Sequence, residues 1–234
     1  MARVDATPTP VTADDIGLEF LRQVPGLSRT SLRMLLAHWA SETRWGQSMI
    51  RFNVGNKKSA GTSGDWCFFS CTEVVPRATA ERLIDSDPGH VTFEHAEDAE
   101  NGKANVEIRI EPEHPWSRFA AFPSLAAGVA DYLAMMKRTF PSSWDALLSG
   151  DEQSYAETLK SEHYYTASVE DYQRLFLGVL ASVDRHAPAA IAAAPEVASA
   201  PFGSSPQSGS LGLAALFLLL AGGAYLLMRR KARR

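Results

Sequence analysis

The chain has 234 residues, a formal net charge of −4 and 45% apolar residues, which is too apolar for a disordered protein and enough to build a packed core. Arg229, Arg230, Lys231, Arg233 and Arg234 put +5 on the last six residues, and taking that +5 out of −4 leaves −9 on the rest. An acidic body repels phosphate backbones, so nucleic acid is not an expected partner, whereas a neutral glycan needs no cationic field.

Residues 1–11 are rich in Pro and Thr and read as a flexible N-terminus. They carry no apolar core of a secretory signal, so none is expected there. Thr12 can cap a first helix with Asp15 as its partner, and Ile16, Phe20, Leu21 and Val24 recur on one face until Pro25-Gly26 ends it. Ser28 or Thr30 starts a second helix through Leu32, Leu35, Leu36 and Trp39 that runs into Glu42. Residues 51–66, with Asn53, Gly55, Asn56, Gly61 and Gly64, have the composition of a loop.

Trp66 to Val75 reads as one strand, and Val91–Phe93 and Val106–Ile110 as two more, with Asn101-Gly102 as a turn. Residues 76–90 give no clear signal. On a single strand Cys67 and Cys71 would lie roughly 13 Å apart, too far for a disulfide. Without His at ligand spacing they do not suggest a metal site, so they read as small buried residues, and no cofactor is expected.

Ser124 caps a helix carrying Leu125, Val129, Tyr132, Leu133 and Met136, followed by helices around 142–148, 151–160 and 169–185. Helices, a small β insertion, then helices describe an α+β domain with two lobes over residues 12–186. Residues 187–210, rich in Ala, Pro, Ser and Gly, read as a linker. Residues 211–228 are uncharged and apolar over a length that can cross a bilayer, so they read as a transmembrane helix, and 229–234 form a basic tail.

Glu42 closes an apolar helix beside Trp39 and Trp45. A carboxyl in a dry cleft has its pKa raised, as a general acid requires near neutral pH. The plainer alternative is a helix-end Glu paired with Arg44.

Several segments then resemble one family. Ala37-His38-Trp39-Ala40-Ser41-Glu42-Thr43-Arg44-Trp45-Gly46 is similar to the AQAALETGWG segment of flagellar-type β-N-acetylglucosaminidases, glycoside hydrolase family 73. Phe52-Asn53-Val54-Gly55-Asn56-Lys57 resembles that family's NLFGIK, and Cys71-Thr72-Glu73-Val74 its TTEY. Phe119 to Ser124 is similar to FRxYxS, Asp131-Tyr132 to DY, and His163-Tyr164-Tyr165-Thr166 with Tyr172 to GYATDPxY. The order and spacing match over about residues 28–180. Arg44 and His163 stand where the pattern has Gly, the asparagine–glycine loop is one residue shorter, and residues 76–105 are longer.

The resemblance implies a lysozyme-like fold, mainly helical with a small antiparallel β lobe, and cleavage of β-1,4 glycosidic bonds in peptidoglycan as an N-acetylglucosaminidase or muramidase. It makes Glu42 the catalytic acid. It makes Glu73 the second carboxylate, with Glu94 and Glu107 as other candidates in the lobe. Tyr164 is then the residue that positions a substrate acetamido group if catalysis is substrate-assisted. Trp45, Asn53, Trp66 and Tyr165 are candidate substrate-binding residues, and His38 and Trp39 could line the cleft.

A degenerate glycan-binding or assembly module of a secretion apparatus or virion is the alternative. With the basic tail in the cytoplasm, the catalytic domain would face the cell wall in the periplasm, or the helix would sit in a virion membrane.

Overall fold

The computed structural model describes residues 2–59, 64–100, 102–165 and 168–196. The segments read above as the transmembrane helix and the basic tail lie outside these, as does most of the linker. No helix among the described residues is long and apolar enough to cross a membrane.

The helical lobe is organised around one helix. α1 (Ala13–Gln23) starts at Thr12, whose side chain accepts from the Asp15 amide while the Asp15 carboxylate accepts from the Thr12 amide. Such a reciprocal cap stabilises a helix start by about 1 kcal/mol. α2 (Arg29–Thr43), capped by Ser28, is buried along almost its whole length, with Leu32, Met34, Leu35, Leu36, Ala37 and Trp39 inaccessible to solvent. A helix apolar on nearly every side is stable only at the centre of a lobe.

α4 (Leu125–Thr139), α5 (Pro141–Ser149), α6 (Glu152–Ser161) and α7 (Val169–Leu180) complete this lobe with α1 and α2, and Phe20, Tyr155 and Phe176 join the core. α4 lies hard against the loop after α2. A Cβ at Gly128 would stand 1.9 Å from the Phe52 carbonyl, so no other residue fits there without moving the loop.

The smaller lobe contains two antiparallel sheets. β1 (Asp65–Phe68) pairs with β5 (Arg118–Ala121), and β4 (Asn105–Ile110) sits between β2 (Cys71–Pro76) and β3 (Val91–Phe93). The single strand expected from Trp66 to Val75 is therefore two strands in different sheets. The break falls at Phe69, whose ring stacks on Phe119 at 3.8 Å and whose amide donates to the Ser117 carbonyl, carrying the chain from one sheet to the other. Cys67 and Cys71 are both free thiols.

The stretch that gave no clear signal holds α3 (Arg77–Ser86). This helix buries little besides Ala80 and covers a small core of Val75, Val91, Val106, Ile108 and Ile110. So sparse a buried face leaves almost no periodicity to detect.

The expected linker boundary at 187 also needs correction. After α8 (Val183–His186), the alanine-rich residues form α9 (Pro188–Ala193). Ala187, Ala190 and Ala194 are buried, and the Ala190 amide donates to the Asp14 carboxylate at 2.9 Å. Here small side chains permit close helix packing: a Cβ at Gly17 of α1 would lie 2.5 Å from that of Ala190. Composition suggested a loose chain, but packing against α1 decides otherwise.

A chain ending at Glu196 should keep the full stability of the domain, whereas one ending at His186 should lose on the order of 2–3 kcal/mol, the burial value of three alanines and part of Ile191. Thermal melts of the two truncations make the comparison, and equal midpoints would show that α9 adds nothing.

Candidate active site

Glu42 lies in the last turn of α2. The backbone turns sharply after it: Arg44, Trp45 and Gly46 all have positive φ, at 52°, 59° and 81°. Thr43 braces the turn, donating its hydroxyl to the Trp39 carbonyl and accepting from the Gly46 amide. Arg44 points to solvent, and no ion pair joins it to Glu42 among the described residues.

The partner of Glu42 is instead Tyr164, whose hydroxyl donates to Glu42 Oε1 at 3.0 Å. Tyr164 follows His163, which holds a left-handed φ of 62°, and its amide donates to Leu159 O at the end of α6. Its ring packs edge-on against His38 at 4.7 Å and against Phe140 at 5.1 Å.

Glu42 is 7% exposed. Burial pushes its carboxyl from the ordinary 4.5 up to about 7; the Tyr164 hydrogen bond pulls the other way, and the negative charge of Glu73 adds to the upward push. The aromatic wall consists of tyrosines: Tyr132, Tyr155, Tyr164 and Tyr172 are all buried and all sense the charge of Glu42. His38, wholly buried and bonded through Nδ1 to the Tyr155 hydroxyl, is driven down to about 3 by desolvation and stays neutral. Among the described residues, Glu42 is thus shifted by burial, a neutral tyrosine and another carboxylate.

The second carboxylate in reach is Glu73, in the middle of β2 and 6% exposed. Its only ion-pair partner among the described residues is Lys58, at 2.9 Å. Burial raises the Glu73 carboxyl above its ordinary value, and the charge and hydrogen bond of Lys58 offset only part of that rise. Glu94 and Glu107, the other candidates, are engaged elsewhere: Glu94 forms a two-bond pair with Arg109, and Glu107 faces His95 at 3.2 Å. Of the three, Glu73 is the one whose charge reaches Glu42.

The loop that joins the lobes is fixed by Asn53, which is 1% exposed. Its Oδ1 accepts from the Lys57 amide at 2.8 Å, and its Nδ2 donates to the carbonyls of Lys57 and Ala120. Lys57 reaches back to Asp131 on α4 at 2.8 Å, and Asn56 donates to the backbone carbonyl of Glu42. Asn53 thus shapes the loop.

Trp45 is half-buried, stacked on His186 at 3.9 Å and edge-on to Trp39. Tyr165 is buried, stacked on Tyr172 at 3.9 Å, with its hydroxyl donated to the Ala156 carbonyl. Trp66, on β1, is half-buried with the Arg118 guanidinium 3.9 Å over its ring. The structure therefore brings together Glu42, Glu73 and Tyr164, and gives Trp45, Asn53, Trp66 and Tyr165 partners of their own outside that group.

Sequence reasoning missed Lys58. The available signal was the adjacent lysines at 57 and 58 in the loop between the two glutamates of an acidic domain. Among the described residues, no group of His, Cys, Asp or Glu is gathered to hold a metal ion.

No family model matches the sequence, and no curated protein matches it. Among solved structures, the chain aligns with a peptidoglycan hydrolase mutant from Sphingomonas sp. A1 at a TM-score of 0.40 and 22% identity, covering 74% of this chain and 90% of that one.

The raised Glu42 carboxyl has a consequence for stability. The folded protein keeps a proton that the unfolded chain releases above 4.5, so this group's contribution is full below 4.5 and is lost as pH rises to about 7. The advantage of Glu42→Gln over wild type should therefore grow by about 3 kcal/mol between pH 4.5 and pH 8. Denaturant midpoints at both pH values measure it, and a gap that does not change with pH would place the Glu42 carboxyl at its ordinary value.

Proposed function

We propose that the chain is a peptidoglycan hydrolase that cuts β-1,4 glycosidic bonds of the glycan strand, with Glu42 as general acid. The observation that carries this reading is a buried carboxyl hydrogen-bonded to Tyr164 and set within reach of a second carboxylate that is ion-paired. With Oε1 accepting from Tyr164, the proton of Glu42 resides on Oε2. It passes to the leaving glycosidic oxygen as positive charge develops on the sugar. Glu73, ion-paired with Lys58, would as a carboxylate orient a water on the opposite face.

In the substrate-assisted variant the acetamido oxygen attacks instead, and Tyr164 releases Glu42 to hold that group. Trp45, Asn53, Trp66 and Tyr165 are proposed to support the glycan cleft, Asn53 through the loop. The apolar residues 211–228 are proposed to anchor the protein in a bilayer by a single C-terminal helix, with the domain facing the cell wall or carried in a virion membrane.

The test is release of reducing ends from purified peptidoglycan, which a peptidase or amidase would not produce. Glu42→Gln keeps the shape and removes the transferable proton, so the rate should fall by about 10²–10⁴-fold with wall binding retained. Wild-type activity should decline as pH rises through about 7, where Glu42 loses its proton. Glu73→Gln should lose activity if the enzyme inverts and keep most of it if the substrate assists. A wild-type protein that binds walls yet releases no reducing ends at any pH would leave the binding module in place of the enzyme. Protease protection of membrane-bound full-length chain tests the anchor: a domain cleaved from the cytoplasmic side contradicts the orientation.

A further inference from the structure

Two of the residues that meet in the site are carboxylic acids in dry surroundings, and for acid–base work one must hold a proton while the other must not. Burial alone favours protonation of both. The asymmetry is built into the segment that leads from α2 toward β1. Asn56 donates to the backbone of Glu42, and two residues later Lys58 reaches Glu73.

The ammonium of Lys58 has three hydrogens and three acceptors. These are Glu73 Oε1 at 2.9 Å, the Trp116 carbonyl at 2.6 Å and the Cys71 sulfur at 3.1 Å. Its charge also sits 4.0 Å from the Phe119 ring centre. The side chain is 18% exposed, and the backbone on either side is pinned to β5, Ser59 N to the Arg118 carbonyl and Ala120 N to the Lys57 carbonyl. A cation so enclosed cannot follow solvent, and it has one carboxylate to neutralise.

We propose that Lys58 is a positioning residue that keeps Glu73 ionised and aimed, so that the proton of the acid–base pair stays on Glu42. This rests on the hydrolase reading above and assigns the division of labour within it.

Four neighbours of Glu73 define its electrostatic setting. Lys58 approaches from the loop, Glu42 from α2, and Cys71 from β2 itself, while the β4 residue in register with Glu73 is apolar Ile108. Glu111 lies beyond Cys71, and His114, next to Trp116, senses Lys58 from outside. Lys58 is the one cation among them that contacts Glu73. Remove it, and burial is left unopposed, so Glu73 takes up a proton in the range where the wild type does not.

The experiment is the pH profile of reducing-end release, from about pH 4 to about pH 9, for wild type, Lys58→Met and Lys58→Arg. For Lys58→Met the acidic limb should move upward by one pH unit or more, a loss of about tenfold on that limb that is recovered on the alkaline side. Lys58→Arg, which keeps the charge, should retain the wild-type limb. A Lys58→Met protein with a lower melting point and an unmoved acidic limb would make Lys58 merely structural and overturn the proposal.

If Lys58→Met does not fold, carbon-13 titration of glutamate carboxyls in wild type and folded Glu73→Gln decides. Glu73 must titrate below Glu42, and Glu42 must move down when Glu73 is neutralised; the reverse order overturns the proposal. If wild type releases no reducing ends, the hydrolase reading fails separately, and the same titration still decides whether Lys58 sets the charge of Glu73.

Discussion

The desolvation of the Glu42 carboxyl is the constraint on which the rest of the arrangement turns. A carboxyl at the end of a buried helix can be neutral near pH 7 only if nothing nearby supplies compensating positive charge. The structure meets that condition on every side that has been described. His38, whose ring packs edge-on against Tyr164, is itself kept uncharged by burial, and Tyr132, Tyr155 and Tyr172 are buried tyrosines. The hydrogen bond from Tyr164 orients the acid, yet as a neutral donor it opposes the protonated state less than an arginine or lysine would. Putting the proposed general acid on the most enclosed helix of the domain costs stability above neutrality, a trade that active sites commonly make.

The two lobes are then linked through a few polar bonds in one loop. Asn53 closes the loop on itself and ties it to β5, and Lys57 ties it to α4 through Asp131. Its remaining polar side chains touch the residues of interest, Asn56 at the Glu42 backbone and Lys58 at the Glu73 side chain. The distance between the carboxylates is thus governed by a segment of six residues, and the close packing of Gly128 against Phe52 prevents that segment from lifting away from α4. An inverting glycosidase depends on the separation of its carboxylates. A rigid, side-chain-clamped loop is a more exact spacer than two lobes free to hinge.

Much of this was legible in the sequence, because the signals were local. The Thr12–Asp15 cap, the Ser28 and Ser124 caps and the apolar spacing of α1, α2 and α4 all reappear in the fold. Glu42, Glu73 and Tyr164 were singled out by the order of short segments rather than by composition, and the structure brings the three together. What stayed hidden was decided by tertiary contacts. α9 looks like a linker because alanine is as suitable for close helix packing as for a loose chain. α3 has too narrow a buried face to leave a period. The break between β1 and β2 depends on Phe69 finding Phe119, fifty residues away. Beyond its pairing with Lys57 in the sequence, Lys58 resembles any surface lysine until folding places Glu73 opposite it.

The backbone offers a further line of argument about the same site. Among the described residues, seven that are not glycine have positive φ, and six of them, Arg44, Trp45, Arg51, Phe52, Asn56 and His163, lie in the turn after Glu42, in the loop that follows it, or just before Tyr164. Each costs about 1 kcal/mol or more relative to an unstrained residue. Glycine at any of them would relieve that cost. Neither Arg44 nor His163 is the residue best suited to the left-handed conformation that each adopts. Local preference therefore does not set these turns. They are imposed by the need to end α2 with Glu42 facing inward and to leave α6 with Tyr164 directed at it, and the packed helices on either side supply the energy that holds them.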